Sequence, residues 1–93
     1  MYQRQEKLVK IMFGELKIEQ PLTIYTEVGC NACKDVKKLC KNNNIAYTEY
    51  NRNLYKDKVN KMTGNYKYVP VIIDGKGRFI GGKPELEKII KNI

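Results

Sequence analysis

The hydrophobic period changes twice between Leu22 and Tyr50, and that change constrains the fold more than any other feature of the chain. Leu22-Thr23-Ile24-Tyr25-Thr26 is β-branched and aromatic, the signature of a buried strand. Residues 31–43 switch to a helical period, with Ala32, Val36, Leu39 and Cys40 on one face, and Asn42-Asn43-Asn44 ends that run. Ile45 to Tyr50 then reads as a second strand. Two strands joined through a helix are expected to lie parallel, with a right-handed crossover.

The rest of the chain completes a sheet. Asn51 to Asn53 offer helix caps, Tyr55, Val59 and Met62 make one helical face, and Gly64 closes that helix. Val71-Ile72-Ile73 reads as a strand, Asp74-Gly75 starts a turn, and Arg78-Phe79-Ile80 returns as its antiparallel partner. Gly81-Gly82 leads into a last helix, with Pro84 in its first turn, Glu85 and Glu87 suited to its dipole, and Leu86, Ile89, Ile90 and Ile93 as its buried stripe. The order β-α-β-α-β-β-α predicts an α/β domain with a mixed four-stranded sheet and helices on both faces. With 93 residues the chain suits one such domain, over residues 21–93. Residues 1–20 stand apart as a helical extension, with Leu8, Val9, Met12, Phe13 and Leu16 on one face and Gly14 as a candidate end. That helix can cap the core or dock a partner, and both readings stay open.

Charge and cysteine content narrow the function. The net charge of +8 comes mainly from lysines spread over every segment, with no arginine-rich stripe and no interleaved stacking aromatics. That distribution reads as a solvated surface rather than a nucleic-acid interface. No apolar run approaches the roughly 20 residues of a membrane-spanning helix. The polar stretch Met1 to Lys10 is unlike a secretory signal, so the expected compartment is the cytoplasm, where a lasting structural disulfide is unexpected. There are three cysteines, an odd number that argues against a disulfide scaffold, and no histidine, which removes Cys–His catalysis and most zinc sites.

Cys30-Asn31-Ala32-Cys33 falls between the first strand and the first helix. A thiol at a helix start meets unpaired backbone N–H groups and the positive end of the dipole, which favour the attacking thiolate. A second cysteine one turn on can resolve the mixed disulfide that results. Cys30 is therefore read as nucleophile and Cys33 as resolving thiol. The rival is a metal site, but Cys30, Cys33 and Cys40 supply three thiolates where a closed zinc site takes four ligands. An iron–sulfur cluster held between two copies through Cys30 is a further alternative. Cys40, seven residues after Cys33 on the apolar face, reads as a small core residue. Val69-Pro70 reads by itself as a strand-entry proline.

Taken together, Thr23-Ile24-Tyr25-Thr26, Cys30-x-x-Cys33, Tyr66-Lys67-Tyr68-Val69-Pro70-Val71 and Gly81-Gly82 resemble the glutaredoxin family over residues 22–93. The resemblance implies a thioredoxin fold, a cis Pro70 opposite the redox pair, and a substrate-binding surface of Tyr68, Val69, Pro70, Gly81 and Gly82, where the backbone of Val69 pairs with a bound thiol substrate. Three positions depart from the pattern. Glu27 stands where glutathione-using members carry a basic residue, Asn31-Ala32 replace their Pro-Tyr or Pro-Phe, and Pro84 replaces an acidic residue that helps hold the γ-glutamyl amine. Glu85 is expected to point elsewhere. The Tyr66 to Val71 stretch and Gly81-Gly82-Lys83-Pro84-Glu85 are also similar to motifs of the NrdH-redoxins, although the diglycine itself is a glutaredoxin feature. What the resemblance implies is a monomeric dithiol oxidoreductase without bound cofactor. It would reduce protein or glutathione mixed disulfides, with ribonucleotide reductase as a candidate partner. Its electrons would come from glutathione or a thioredoxin-reductase-type flavoenzyme. The non-enzymatic alternative is a redoxin-fold binding subunit that meets an acidic partner through its lysines.

A titration of free thiols separates these readings. Mild oxidation of the folded protein is expected to remove two thiols reversibly and leave Cys40. A binding subunit with inert cysteines keeps all three.

Overall fold

The computed structural model describes residues 18–91. The helix expected over Leu8 to Leu16 lies outside them, as does Ile93. Strand β1 (Leu22–Thr26) leads into helix α1 (Asn31–Asn42), followed by β2 (Tyr47–Asn51), a short 3-10 turn (Arg52–Tyr55) and α2 (Lys56–Thr63). The chain finishes with β3 (Val71–Ile73), β4 (Phe79–Gly81) and α3 (Lys83–Lys91). The sheet order is β2-β1-β3-β4. β1 and β2 are parallel, with Leu22 opposite Tyr47 and Thr26 opposite Asn51. β1–β3 and β3–β4 are antiparallel, with Tyr25 opposite Val71 and a bulge between Ile72 and Ile73. The mixed four-stranded sheet predicted from the element order is therefore the one found.

Strand alternation divides the core in two. Leu22, Ile24 and Ile72 point to one face and pack with Val36 and Cys40 of α1, Leu86 of α3, and Ile18. Tyr25, Val71 and Ile73 point to the other and pack with Val59 of α2, Met62, Tyr66 and Phe79. Burying one such aliphatic side chain contributes about 1.5–3 kcal/mol, so the fully buried Leu22, Ile24, Ile72 and Leu86 dominate the first core. Cys40 is fully buried and unpaired, as read from its place on the helix, and burial pushes its thiol up from its ordinary pKa.

Several boundaries differ from expectation for local reasons. β2 starts at Tyr47 rather than Ile45, because the Ile45 N–H donates to the Cys40 carbonyl at 2.8 Å and ties that residue to the end of α1. The helix expected from Asn51 onward is two pieces. The Asn51 side chain caps the 3-10 turn by accepting from the Asn53 N–H at 2.8 Å, and α2 begins only at Lys56. The tighter turn rotates the face presented by the chain. Tyr55 consequently leaves the Val59 and Met62 stripe and joins Tyr25 and Tyr50 in a ring cluster, with centroids 5.9 and 5.3 Å away. Gly81 is the last residue of β4 rather than a linker. Arg78, expected to start that strand, instead serves the turn before it.

That turn rests on Asp74. Its buried carboxylate accepts from the Lys76 and Arg78 N–H groups and from the Arg78 guanidinium, each at 2.9 Å. Burial opposes ionisation, but the N–H and guanidinium bonds outweigh it and hold the carboxyl below its ordinary range. Asp74→Ala is expected to cost about 1–3 kcal/mol at neutral pH, the loss of charged-acceptor bonds in a buried turn. Because the native pKa is depressed, this contribution is complete above the unfolded value of about 3.9 and is lost as pH falls through the lower native value. Urea unfolding of both proteins from neutral pH down to about pH 2 should therefore show their stability gap narrowing only in the acid limb, and a gap independent of pH would contradict the assignment.

Candidate functional site

β1 ends at Thr26, and Glu27 to Gly29 turn the chain so that Cys30 becomes the N-cap of α1. Its sulfur accepts from the Cys33 N–H at 3.0 Å, taking one of the donors that a helix start leaves unpaired. Cys30 and Cys33 form a disulfide with Cα atoms 5.2 Å apart. Their environments differ. Cys30 is half-buried, whereas Cys33 is 2% exposed. Of the two sulfur-bearing residues, Cys30 is therefore the more accessible.

The loop before β3 closes the other side. The Val69 carbonyl oxygen lies 3.9 Å from the Cys30 sulfur, and the Val69–Pro70 peptide is cis. Pro70 is fully buried, and Tyr68 is 70% exposed, its ring edge-on to that of Tyr66. Gly81 and Gly82 are buried where α3 meets this loop. A side chain on Gly82 would come within 2.9 Å of the Tyr66 hydroxyl and 3.3 Å of the Pro70 carbonyl, and one on Gly81 (φ 134°) would strike the Glu85 side chain. The diglycine is thus a close-approach device that lets the helix start pack on the proline loop. Of the seven residues singled out from sequence, Cys30, Cys33, Val69 and Pro70 converge on one point. Gly81 and Gly82 support that point from behind. Tyr68 borders it.

One expectation is corrected. Glu85 does not point away from the diglycine: its Oε1 accepts from the Gly82 N–H at 2.8 Å. It stands three residues after the cap position, where a glutamate reaches back to satisfy the first orphan donor.

Of the charged groups beside the pair, sequence reading missed Lys37 and Glu49. A groove of about 400 Å³ runs along Cys30 and Cys33 and is also lined by Glu27, Lys34, Lys37 and Glu49. Glu49 accepts from the Thr26 hydroxyl at 2.6 Å and pairs with Lys37 at 3.1 Å. The Thr26 bond holds its carboxyl below the ordinary range; burial opposes this and Lys37 adds to it. Lys37 sits on α1 and Glu49 on β2, two elements whose facing residues no local pattern reveals. Across the helix pair, Lys83 of α3 binds Asp35 of α1 at 2.8 Å. Among the described residues no group of three or more His, Cys, Asp or Glu is placed to hold a metal ion.

No protein-family model matches the sequence, and no curated protein does. Solved structures do. The chain superposes on the dithiolic glutaredoxin 2-C-Grx1 of Trypanosoma brucei brucei with a TM-score of 0.65 at 22% identity, over 76% of this chain and 77% of that one. It superposes on the holo form of glutaredoxin C1 from Populus tremula x tremuloides with a TM-score of 0.67 at 21% identity, over 84% and 81% of the two chains. The fold is the thioredoxin fold of the glutaredoxins. Within that fold two acidic groups, Glu27 and Glu49, and two basic ones, Lys34 and Lys37, line the groove beside the Cys30–Cys33 pair.

Reversing one of those charges should move the redox equilibrium. A charge that stabilises the reduced thiolate makes the pair more oxidising, so Glu27→Lys is expected to raise the reduction potential, by on the order of 20–30 mV. Equilibration of both proteins against glutathione buffers measures it, and an unchanged or lowered potential would contradict this electrostatic account.

Proposed function

We propose that this chain is a dithiol thiol–disulfide oxidoreductase of the glutaredoxin type, with residues 21–93 as its catalytic domain. One observation carries the reading: a disulfide at the first turn of α1 whose outer sulfur is accessible and whose inner sulfur is buried, with a backbone carbonyl 3.9 Å from the outer one. In the reduced protein the Cys30 thiolate attacks one sulfur of a substrate disulfide. That S–S bond breaks, the far sulfur leaves as a thiolate, and a Cys30–substrate mixed disulfide forms. The Cys33 thiolate then attacks the Cys30 sulfur and expels the second substrate thiolate. Two electrons pass to the substrate, its two thiolates take up the two protons given up by Cys30 and Cys33, and the Cys30–Cys33 disulfide remains. An external dithiol donor restores the pair.

Val69 and Pro70 form the docking edge in this reading, with Tyr68 at the rim and Gly81 and Gly82 beneath. The substrates proposed are protein disulfides, that of ribonucleotide reductase among them, and glutathione mixed disulfides. Glu27 and Pro84 stand where a glutathione-binding site would carry a basic and an acidic group, which favours a flavoenzyme of the thioredoxin-reductase type as electron source over glutathione. The same balance of charges favours a potential nearer the thioredoxin value of about −270 mV than the glutaredoxin range of about −200 to −230 mV.

Insulin reduction, driven in parallel by glutathione with its reductase and by thioredoxin reductase, tests the reading. Cys30→Ser is expected to abolish turnover with either donor. Cys33→Ser should still attack through Cys30 and should accumulate as a mixed disulfide, visible as a mass increase that a reductant removes. Wild-type turnover by Cys30→Ser would overturn the assignment.

A further inference from the structure

Arg52 is 8% exposed. A buried guanidinium needs acceptors for its planar fork of N–H groups, because an unpaired buried charge is strongly destabilising. Arg52 finds them in the segment that leads to the docking edge. Nη1 donates to the Tyr68 carbonyl at 2.6 Å, and Nη2 donates to the Tyr66 carbonyl and reaches Asn60 Oδ1 at 3.4 Å. Lys67 to Val69 form neither helix nor strand, so no sheet ladder fixes their main chain. The Tyr68 carbonyl that Arg52 holds belongs to the residue next to Val69, whose own carbonyl lies 3.9 Å from the Cys30 sulfur.

On the oxidoreductase reading above, we infer that Arg52 is a positioning residue that makes the site selective for disulfides carried on a polypeptide. A main-chain carbonyl this close to the reacting sulfur lies beside the main chain of whichever residue delivers the substrate sulfur. A main chain that is held still can offer its carbonyl to that chain, and one that drifts cannot. Arg52 holds it from below. A disulfide with no peptide groups uses only the Cys30 sulfur and draws little from the loop. Lysine at position 52 keeps the charge but lacks the fork, so it can hold one carbonyl and not both.

The test uses pre-reduced full-length protein, so no electron donor enters. Wild type and Arg52→Lys are mixed with a linear peptide closed by one Cys–Cys disulfide, or with bis(2-hydroxyethyl) disulfide. Formation of the Cys30–Cys33 disulfide is then followed by acid quench and mass analysis. The loss of rate in Arg52→Lys is expected to be about ten-fold larger for the peptide than for the small disulfide, the scale of one charge-assisted bond. Equal losses on both probes, or none on the peptide, overturn the inference. Circular dichroism checks that the variant is folded. If it is not, Asn60→Ala leaves Arg52 in place and removes one acceptor of its fork. It should show the same preference at about three-fold, and its absence overturns the inference equally. Wild type that is oxidised by neither probe sinks the oxidoreductase reading, and this inference with it. Wild type oxidised by both, with equal losses in the variant, sinks the inference alone.

Discussion

Strand β1 is the constraint on which everything else depends. It is paired on both edges, to β2 in parallel and to β3 antiparallel, and four of its five residues are buried. A strand with no free edge and no free face cannot slip by one residue without moving a whole hydrophobic set to the wrong side. Its C-terminal end is therefore fixed in space, and with it the short turn that delivers Cys30 to the first turn of α1. The Cys30–Cys33 pair inherits its position from the most firmly held strand of the sheet.

The parts of the fold that follow from local pattern were legible in the sequence. β1, α1, the β3–β4 turn and the apolar stripe of α3 each announce themselves through period, caps or turn residues. Cys40 could be assigned to the core from spacing alone. The placement of the Cys30–Cys33 pair was legible because it needs only two facts, a helix start and a one-turn offset. What failed was of another kind. Tyr55 was misplaced because a single 3-10 turn shifts the phase of everything after it, and composition does not separate such a turn from the start of an α-helix. Glu85 was misread because its role is set by the backbone path of Gly81-Gly82 rather than by its own neighbours.

The polar fasteners of the site were the least legible. Arg52 follows a strand rich in polar residues, where an arginine ordinarily faces water, and its acceptors lie 14 and 16 residues on. Glu49 and Lys37 are separated by 12 residues and by the whole crossover between α1 and β2. Nothing in either local sequence distinguishes these groups from the solvated lysines and glutamates around them. Long-range pairing is what places them, and a single sequence carries no record of it. The charge of the chain illustrates the same point. Lys37, Lys76 and Lys83 are each matched to a carboxylate, so part of what reads as a uniform basic surface is a set of specific ties between elements.

These ties explain how a small domain keeps a reactive centre in register. The two hydrophobic cores lie on opposite faces of the sheet, and the site's two sides follow from elements tied to each: Cys33 is on α1, which carries Val36 and Cys40 of the first core, and Pro70 precedes Val71 of the second. Neither core reaches across to hold the other's loop. The span is bridged by polar contacts instead. Lys37–Glu49 binds α1 to the edge strand, Lys83–Asp35 binds α1 to α3, and Arg52 binds the segment before Pro70 to the turn after β2. The two ion pairs are part-exposed, and such pairs are individually worth little. Buried Arg52 differs from them, because it is neutralised by carbonyl dipoles rather than by a mobile carboxylate. Side-chain motion or salt can loosen the first two without exposing a buried group, whereas releasing Arg52 leaves a cation and two main-chain carbonyls unpaired at once. The loop before Pro70 is therefore the more tightly fixed of the two walls around Cys30, and the α1–β2 wall, held by a part-exposed ion pair, is the looser one.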